Sequence, residues 1–199
     1  MNEPRYTDEE LMTRFQAGDA RAFETLFERY KGPIFSFLVL QCGNRDLAAD
    51  LRQDTFAKVI GKAVTFDHRS RFSTWIYAIA RNAAIDAARR ARHRRHRSLE
   101  ERPREDGPAL GERLAGGNPG PDRSAAAGRL REAIVEGIDR LPEDQREVFL
   151  MREYHGLTFE QIASVVDSKV GTVKSRMRYA LASLRRSLED YESYARTLP

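Results

Sequence analysis

Apolar positions recur at steps of three and four residues along most of the chain, which is the pattern of amphipathic helices. The clearest case is the alanine-rich stretch Phe72–Arg90, which predicts one strong helix. We expect Ser73 or Thr74 to serve as its N-cap. Its apolar stripe should face a core and comprises Trp75, Ile76, Ile79, Ala80, Ala83 and Ala87.

The first two predicted helices are marked by their ends. Thr7 and Glu10 have the spacing of a capping box and start a short helix, which Gly18 ends. Asp19 caps the next helix. The dipeptide Gly32-Pro33 is expected to interrupt that second helix, because glycine and proline are helix breakers.

Two further helical segments and a loop complete the N-terminal part. Residues 34–40 are strongly apolar and predict a buried segment, and a break at Gly43-Asn44 precedes a helix from about Asp46 to Ile60. Residues 61–71 favour a loop, with Phe66 as its one large apolar anchor. With Phe72–Arg90 these elements predict an all-helical bundle of roughly ninety residues.

The composition changes from about Ala91 to Ser124. An arginine-rich run is followed by mixed charge with glycine and proline, which buries too little apolar area to offset its ordering entropy. This stretch predicts a flexible linker. His93 and His96 lie among arginines that repel a divalent cation, and no cysteine is near, so we expect no metal site and no cofactor.

Helical spacing resumes in the second half. A helix is marked by Leu130, Ile134, Ile138 and Leu141, and Pro142 is expected at the N1 position of the next helix. Gly156 should end that helix, and Thr158 to Gln161 forms another capping box that opens a short helix.

A last long helix should follow a turn at Asp167-Ser168, with Ser168 as its N-cap. Its apolar stripe comprises Val173, Met177, Ala180, Leu181, Leu184 and Leu188. A short helix, a tight turn and a helix that bears lysine and arginine are typical of helix-turn-helix DNA binding, and Gly171 would permit close approach to the DNA backbone. A plain helical hairpin with a basic outer face is the alternative.

Composition narrows the class of protein. At 199 residues the chain can form one medium domain or two small ones, and a charged fraction of 32% with a mean hydropathy of −0.62 excludes an integral membrane protein. The N-terminus lacks the plan of a secretion signal, and the single cysteine, Cys42, favours the cytoplasm. Net charge is +4, and cations concentrate from Arg89 to Arg104, which suggests contact with phosphate.

Several motifs resemble bacterial sigma factors of the extracytoplasmic-function (ECF) group of the sigma-70 family. They stand in family order in runs 7–23, 50–56, 72–90, 141–149 and 171–176. The resemblance implies an all-α chain of two small helical bundles. A region 2 domain would span residues 1–92, a flexible Arg/Gly/Pro-rich linker residues 93–128, and a region 4 domain with a helix-turn-helix residues 129–199.

The same resemblance implies three binding surfaces. Docking on the clamp helices of the RNA polymerase core would use Asp50, Gln53 and Asp54. Recognition and melting of the −10 promoter element would use Phe66, Arg69, Ser70, Phe72, Asn82, Asp86, Arg89 and Arg90. Recognition of the −35 element would use Thr172, Lys174, Ser175, Arg176, Arg178 and Tyr179.

Some details stay open or depart from the family pattern. Asp86 would accept from cytosine or orient Arg90, and Trp75 is a core residue or a base-contacting one. The chain has Ala49 where the family often has an acidic residue. It also has Lys169 in place of a common proline and Tyr179 in place of a frequent arginine.

The implied function is that of an alternative sigma factor. It would bind polymerase core and promoter DNA, act in the cytoplasm without inserting into a membrane, and be controlled by an anti-sigma factor. The residues show no nucleophile–base pair and no phosphate-binding glycine loop, so we expect no enzyme activity. Two alternatives are a helix-turn-helix regulator with a helical sensor domain and a sigma-like decoy that sequesters an anti-sigma factor.

Overall fold

The computed structural model describes residues 6–67, 69–97 and 133–189, and all regular structure in these ranges is helical. Contacts divide the chain into two compact units. The first unit contains α1 (Asp8–Gln16), α2 (Ala20–Cys42), α3 (Arg45–Gly61), a 3₁₀ turn (Ala63–Thr65) and α4 (Phe72–Arg97). The second contains α5, described over residues 133–139, α6 (Glu143–Glu153), the start of α7 (Phe159–Val165) and α8 (Val170–Ser187), while residues 163–167 are assigned to the first unit.

The ends of α1 confirm the sequence prediction. The Glu10 N–H donates to the Thr7 hydroxyl at 3.2 Å, and the Thr7 N–H donates to the Glu10 carboxylate at 2.7 Å, which closes the capping box. Gly18 follows the helix with φ +97°, a conformation that side chains disfavour. Asp19 then caps α2 by accepting from the Arg21 N–H at 3.1 Å.

The predicted interruption of α2 at Gly32-Pro33 is wrong, because α2 continues through Pro33 to Cys42. A proline inside a helix costs one backbone hydrogen bond and some steric strain. Here α2 packs against α1, α3 and α4, with Leu26 buried before the proline and Phe37 after it. Burial along the whole length of α2 therefore outweighs the local penalty.

Helix α3 begins and ends close to its predicted bounds. Gly43 ends α2 in the left-handed conformation, and Asn44 caps α3 by accepting from the Leu47 N–H at 2.9 Å. Between α3 and α4, Phe66 is the buried anchor that the sequence predicted. The core of the first unit is formed by side chains that include Met12, Leu26, Ile34, Phe37, Leu38, Leu51, Phe72 and Ile76.

Helix α4 extends past its predicted end at Arg90 to Arg97. It begins at Phe72, so the predicted N-cap at Ser73 or Thr74 is wrong, and Thr74 is buried inside the helix. The Phe72 N–H donates to the Glu9 carboxylate at 3.0 Å, so a side chain from α1 satisfies this donor. All the predicted stripe residues of α4 are buried except Trp75, which is half-buried.

In the second unit two helices begin one residue later than predicted. Pro142 is the N-cap of α6 rather than its first helical residue, and Lys169 rather than Ser168 is the N-cap of α8. Both caps have extended ψ angles and make no side-chain capping hydrogen bond, so backbone conformation sets these helix starts. Gly156 follows α6 with φ +64°.

The capping box of α7 is present as predicted. The Gln161 N–H donates to the Thr158 hydroxyl at 3.2 Å, and the Thr158 N–H donates to the Gln161 side chain at 2.8 Å. Helix α8 packs against α6 and buries Val173, Met177, Ala180 and Leu184. The prediction that Leu181 lies in this stripe is wrong, since its side chain is 49% exposed.

Some predictions fall outside the described residues. They include Leu130, the side chains of His93 and His96, and the linker beyond Arg97. None of the described helices is both long and apolar enough to cross a membrane.

Candidate nucleic-acid interface

Helix α8 presents a polar face opposite its buried stripe. Thr172, Lys174, Arg178 and Tyr179 are exposed, while Ser175 and Arg176 are half-buried. The short helix α7 precedes α8, and the turn between them includes Asp167 in the left-handed conformation with φ +50°. This arrangement of a short helix, a turn and a cation-bearing helix is a helix-turn-helix.

The cations of α8 differ in their neighbours. Arg176 Nε lies 2.9 Å from Asp144 Oδ2, so this side chain joins α8 to α6. The guanidinium of Arg178 lies 5.2 Å from the centre of the Tyr179 ring, a cation–π distance. Arg178 thus stays exposed beside an aromatic ring, whereas Arg176 is engaged by a carboxylate.

Phe159 is a residue of this surface that sequence reasoning missed. Its ring lies 5.9 Å from Lys174 Nζ and 4.9 Å from the Arg152 guanidinium. The pKa of the neighbouring Glu160 carboxyl is lowered, first by its own backbone N–H and the Thr158 hydroxyl and then by these two cations. No local signal marks Phe159 in this way, because Arg152 and Lys174 come from two other helices.

Helix α4 exposes a second polar face. Asn82, Asp86, Arg89 and Arg90 are all exposed, and the opposite face is buried through Ile76, Ile79, Ala80, Ala83 and Ala87. An amide can bond a base edge and guanidinium groups can pair with phosphate. The helix therefore places one amide and two cations on solvent-facing positions of the first unit.

The remaining predicted −10 residues lie in the loop before α4 and at the first position of α4, and they have two different environments. Arg69 is exposed, with its Nε 3.2 Å from Asp67 Oδ2, and Ser70 is half-buried. The side chains of Phe66 and Phe72 are 4% and 0% exposed, so the structure places both rings in the core.

These two rings form an aromatic cluster with a third. The Phe66 ring lies 5.1 Å from that of Trp75 and 6.0 Å from that of Phe72, measured between ring centres. Direct base contact by Phe66 and Phe72 stays a prediction. In this structure both residues are buried.

Helix α3 carries the predicted protein-docking residues. Asp50, Gln53 and Asp54 are exposed, and the opposite face buries Leu51, Phe56 and Val59 among others. An open groove of about 620 Å³ runs between α3 and α4 and is lined by Asp54, Ala57, Lys58, Asp86, Arg89 and Arg90. Lys58 lines this groove one turn from Asp54 on α3, and it was not among the site residues predicted from the sequence.

The fold and these surfaces define a two-unit helical protein with a helix-turn-helix in its second unit and an amide-bearing cationic helix in its first. Residues 26–94 match the family model described as Sigma-70 region 2, and residues 131–184 match that described as Sigma-70, region 4.

Curated relatives match over nearly their whole length. The RNA polymerase sigma-H factor of Pseudomonas aeruginosa is 31% identical over 182 residues, covering 92% of this chain and 94% of the relative. The ECF RNA polymerase sigma-E factor of Escherichia coli K12 is 34% identical over 175 residues, covering 86% of this chain and 88% of the relative. The chain therefore belongs to the sigma-70 family of RNA polymerase sigma factors, in its ECF group, and is a transcription initiation factor.

Solved structures support the fold. The sigma factor RpoE from Bartonella quintana, crystallised with the anti-sigma factor NepR, is similar with a TM-score of 0.66 and 22% identity, covering 84% of this chain and 96% of that one. CnrH, solved with the cytosolic domain of CnrY, is similar with a TM-score of 0.63 and 23% identity, covering 92% and 97%.

Proposed function

We propose that this sigma factor docks on polymerase core with α3, reads and opens the −10 element with α4 and its preceding loop, and reads the −35 element with α8. One observation carries the assignment of the two DNA surfaces: in each unit a helix exposes two cations on the face opposite its buried apolar stripe. The cations are Arg89 and Arg90 on α4, where the amide of Asn82 is also exposed, and Lys174 and Arg178 on α8.

Docking on the core would use the carboxylates of Asp50 and Asp54 and the amide of Gln53. Exposed carboxylates on one helix face suit partner arginines, with which they form charge-assisted hydrogen bonds. Ala49 is half-buried and brings no charge, so we expect two carboxylates rather than three to make this contact.

At the −10 element Asn82 would bond a base edge while Arg89 and Arg90 hold phosphates. Asp86 would accept from cytosine N4 or orient Arg90. The loop side chains Arg69 and Ser70, with the buried Phe66 and Phe72 beneath them, would complete a pocket for an unstacked base.

At the −35 element the exposed cations Lys174 and Arg178 would meet base edges or phosphates. Thr172 and Ser175 would add hydrogen bonds, and Tyr179 would contribute its exposed ring. Arg176 would act partly through Asp144, by holding α8 against α6.

The two domains would span residues 1–92 and 129–199, joined by a linker over residues 93–128. Control by an anti-sigma factor is supported by the similar sigma factor RpoE, which was crystallised with the anti-sigma factor NepR. We place the chain in the cytoplasm, where it would act with polymerase and have no catalytic activity of its own.

Run-off transcription with purified core enzyme on a set of genomic promoters tests this function. We expect initiation at a subset of promoters, and we expect Asn82→Ala and Lys174→Ala each to lower it about tenfold, since one good base contact contributes about 1–3 kcal/mol. Glu24→Ala, at an exposed position of α2, is the matched control and should initiate normally.

The outcomes separate the parts of the proposal. Normal initiation by Asn82→Ala would show that the α4 face does not read the promoter. Failure of the folded wild-type chain to initiate anywhere would reject the function.

A further inference from the structure

Helix α1 contacts both ends of the loop that precedes α4. The side-chain amide of Gln16 donates to the carbonyl oxygens of Ala63 at 2.8 Å and Phe66 at 2.9 Å. Glu9 Oε1 accepts from the backbone N–H of Phe72 at 3.0 Å. Two residues that lie two turns apart on α1 therefore bond to the backbone on either side of residues 67–71.

In both contacts the number of hydrogen-bond donors matches the number of acceptors. The amide nitrogen of Gln16 carries two hydrogens, so it can serve two carbonyls at once. The Phe72 N–H belongs to the first turn of α4, where backbone donors have no partner within the helix. The carboxylate of Glu9 satisfies that donor and is also favoured by the positive end of the helix dipole.

Packing and hydrogen bonding fix different parts of this region. The rings of Phe66 and Phe72 are held in the core, where Phe72 also lies 5.2 Å from the ring of Tyr30. Rings in a core fix where the chain enters and leaves the loop, whereas hydrogen bonds to carbonyl and amide groups fix the direction of the backbone. The direction of the backbone decides where the side chains of Arg69 and Ser70 point.

We propose that Glu9 and Gln16 are positioning residues for capture of an unstacked base at the −10 element. This rests on the proposed function, which assigns base capture to the loop. By holding the backbone at Ala63, Phe66 and Phe72 before DNA binds, the two side chains lower the entropy that capture would otherwise cost. They act through the backbone and make no contact with DNA themselves.

The test measures how well the full-length chain with polymerase core distinguishes an intact base from a missing one. The probe is a single-stranded −10 oligonucleotide, intact or with one abasic position at a time. Gln16→Glu keeps the size of the side chain but sets a carboxylate against two carbonyls, and Glu9→Ala removes the acceptor. For each variant we expect the affinity ratio, intact over abasic at the captured position, to fall about fivefold, with unchanged affinity for the abasic strand.

Thr7→Ala is the matched control. It removes the capping hydroxyl of α1 and so weakens the same helix, but it leaves both loop contacts in place. We expect it to keep the wild-type ratio. Circular dichroism establishes that each variant is folded. Because Gln16→Glu and Glu9→Ala disrupt different contacts, one can still test the proposal if the other does not fold.

Three results would overturn the proposal. Wild-type ratios in both Gln16→Glu and Glu9→Ala would show that the contacts are only structural. An equal loss in Thr7→Ala would show that general weakening of α1 is the cause. If the wild-type chain makes no distinction at any position, the assignment of base capture to the loop fails and this proposal fails with it.

Discussion

Single side chains decide which cations of the second unit are available to DNA. Arg176 has its Nε 2.9 Å from the Asp144 carboxylate, whereas Arg178 lies beside the Tyr179 ring, and Lys174 lies beside the Phe159 ring and lowers the pKa of the Glu160 carboxyl without bonding to it. Each phosphate that a cation neutralises adds to the salt dependence of DNA binding. We therefore expect Lys174 and Arg178 to contribute more to that dependence than Arg176 does.

At the same scale His155 gives the second unit a pH-dependent stability. Burial lowers the pKa of this imidazole from 6.5 to about 4, because the charged form loses its hydration. The native state therefore binds a proton less readily than the unfolded chain. The resulting stability is fully present above pH 6.5 and is lost as pH falls from 6.5 toward 4, by up to about 3 kcal/mol.

Urea unfolding of wild type and His155→Gln at pH 7.5 and pH 4.5 checks this prediction. We expect the loss of stability between the two pH values to be smaller in His155→Gln when unfolding is followed by far-ultraviolet circular dichroism. Trp75 is the single tryptophan of the chain and lies in the first unit, so its fluorescence serves as an internal control and should not respond to the substitution. Equal pH dependence in both proteins would contradict the prediction.

At the scale of elements, α8 combines a helix that must be stable with a surface that we propose binds DNA. Gly171 lies in its first turn, where an added Cβ would meet open space. Glycine inside a helix costs up to about 1 kcal/mol relative to alanine. The absence of a side chain at Gly171 leaves room for the DNA backbone to come close at this point.

Gly171→Ala should therefore have effects of opposite sign. We expect the free energy of unfolding to rise by about 0.5–1 kcal/mol and the affinity for −35 DNA to fall about threefold or more, because the methyl group obstructs the DNA backbone. Thermal unfolding and a DNA titration at fixed salt measure the two effects. Gly32→Ala in α2, also in open space, should gain stability with no change in DNA affinity. Unchanged DNA binding by Gly171→Ala would show that DNA does not approach this turn.

At the scale of the whole molecule, two surfaces with different proposed partners meet at one groove of the first unit, to which α3 and α4 each contribute charges of both signs. Asp50 and Asp54 lie on α3, Arg89 and Arg90 lie on α4, and Asp54 shares the groove between the helices with both arginines. The surface that we propose for a protein partner and the surface that we propose for DNA are thus adjacent on the first unit. We expect charge changes on α3 to weaken binding to polymerase core more than they weaken binding to DNA.

Asp50→Arg tests this separation of roles. We expect affinity for polymerase core to fall at least about tenfold, because a like charge would face the partner arginines, and the loss should shrink at high salt. Titration of fluorescently labelled core measures it. Glu24→Arg, the same charge change at an exposed position of α2, is the control and should bind normally. Core binding that survives Asp50→Arg would remove α3 from the docking surface.

Much of the fold followed from the sequence, because helix caps and apolar spacing act over a few residues. Thr7 with Glu10 and Thr158 with Gln161 form the capping boxes that their spacing predicted. Asp19 likewise caps the helix that it was expected to start. Where the local rules failed, as at Pro33, packing against several other helices decided the outcome.

The candidate site was predictable only in part. Exposure of Asn82 and Lys174 follows from helical spacing, since each lies opposite a buried stripe on its own helix. The pairing of Arg176 with Asp144 and the cations around Phe159 depend on the packing of α6, α7 and α8. No spacing rule within one helix contains such information.

By itself the sequence determined most of the helices, the caps at Thr7, Asp19 and Thr158, the cationic faces and the family. Only the tertiary structure decided that α2 runs through a proline, that the predicted −10 residue Phe72 lies in the core, and that Glu9 satisfies the first turn of α4. The physical reason is distance along the chain. Caps and stripes join residues within about four positions, whereas the bond from Phe72 to Glu9 spans 63 positions and exists only once the helices have packed.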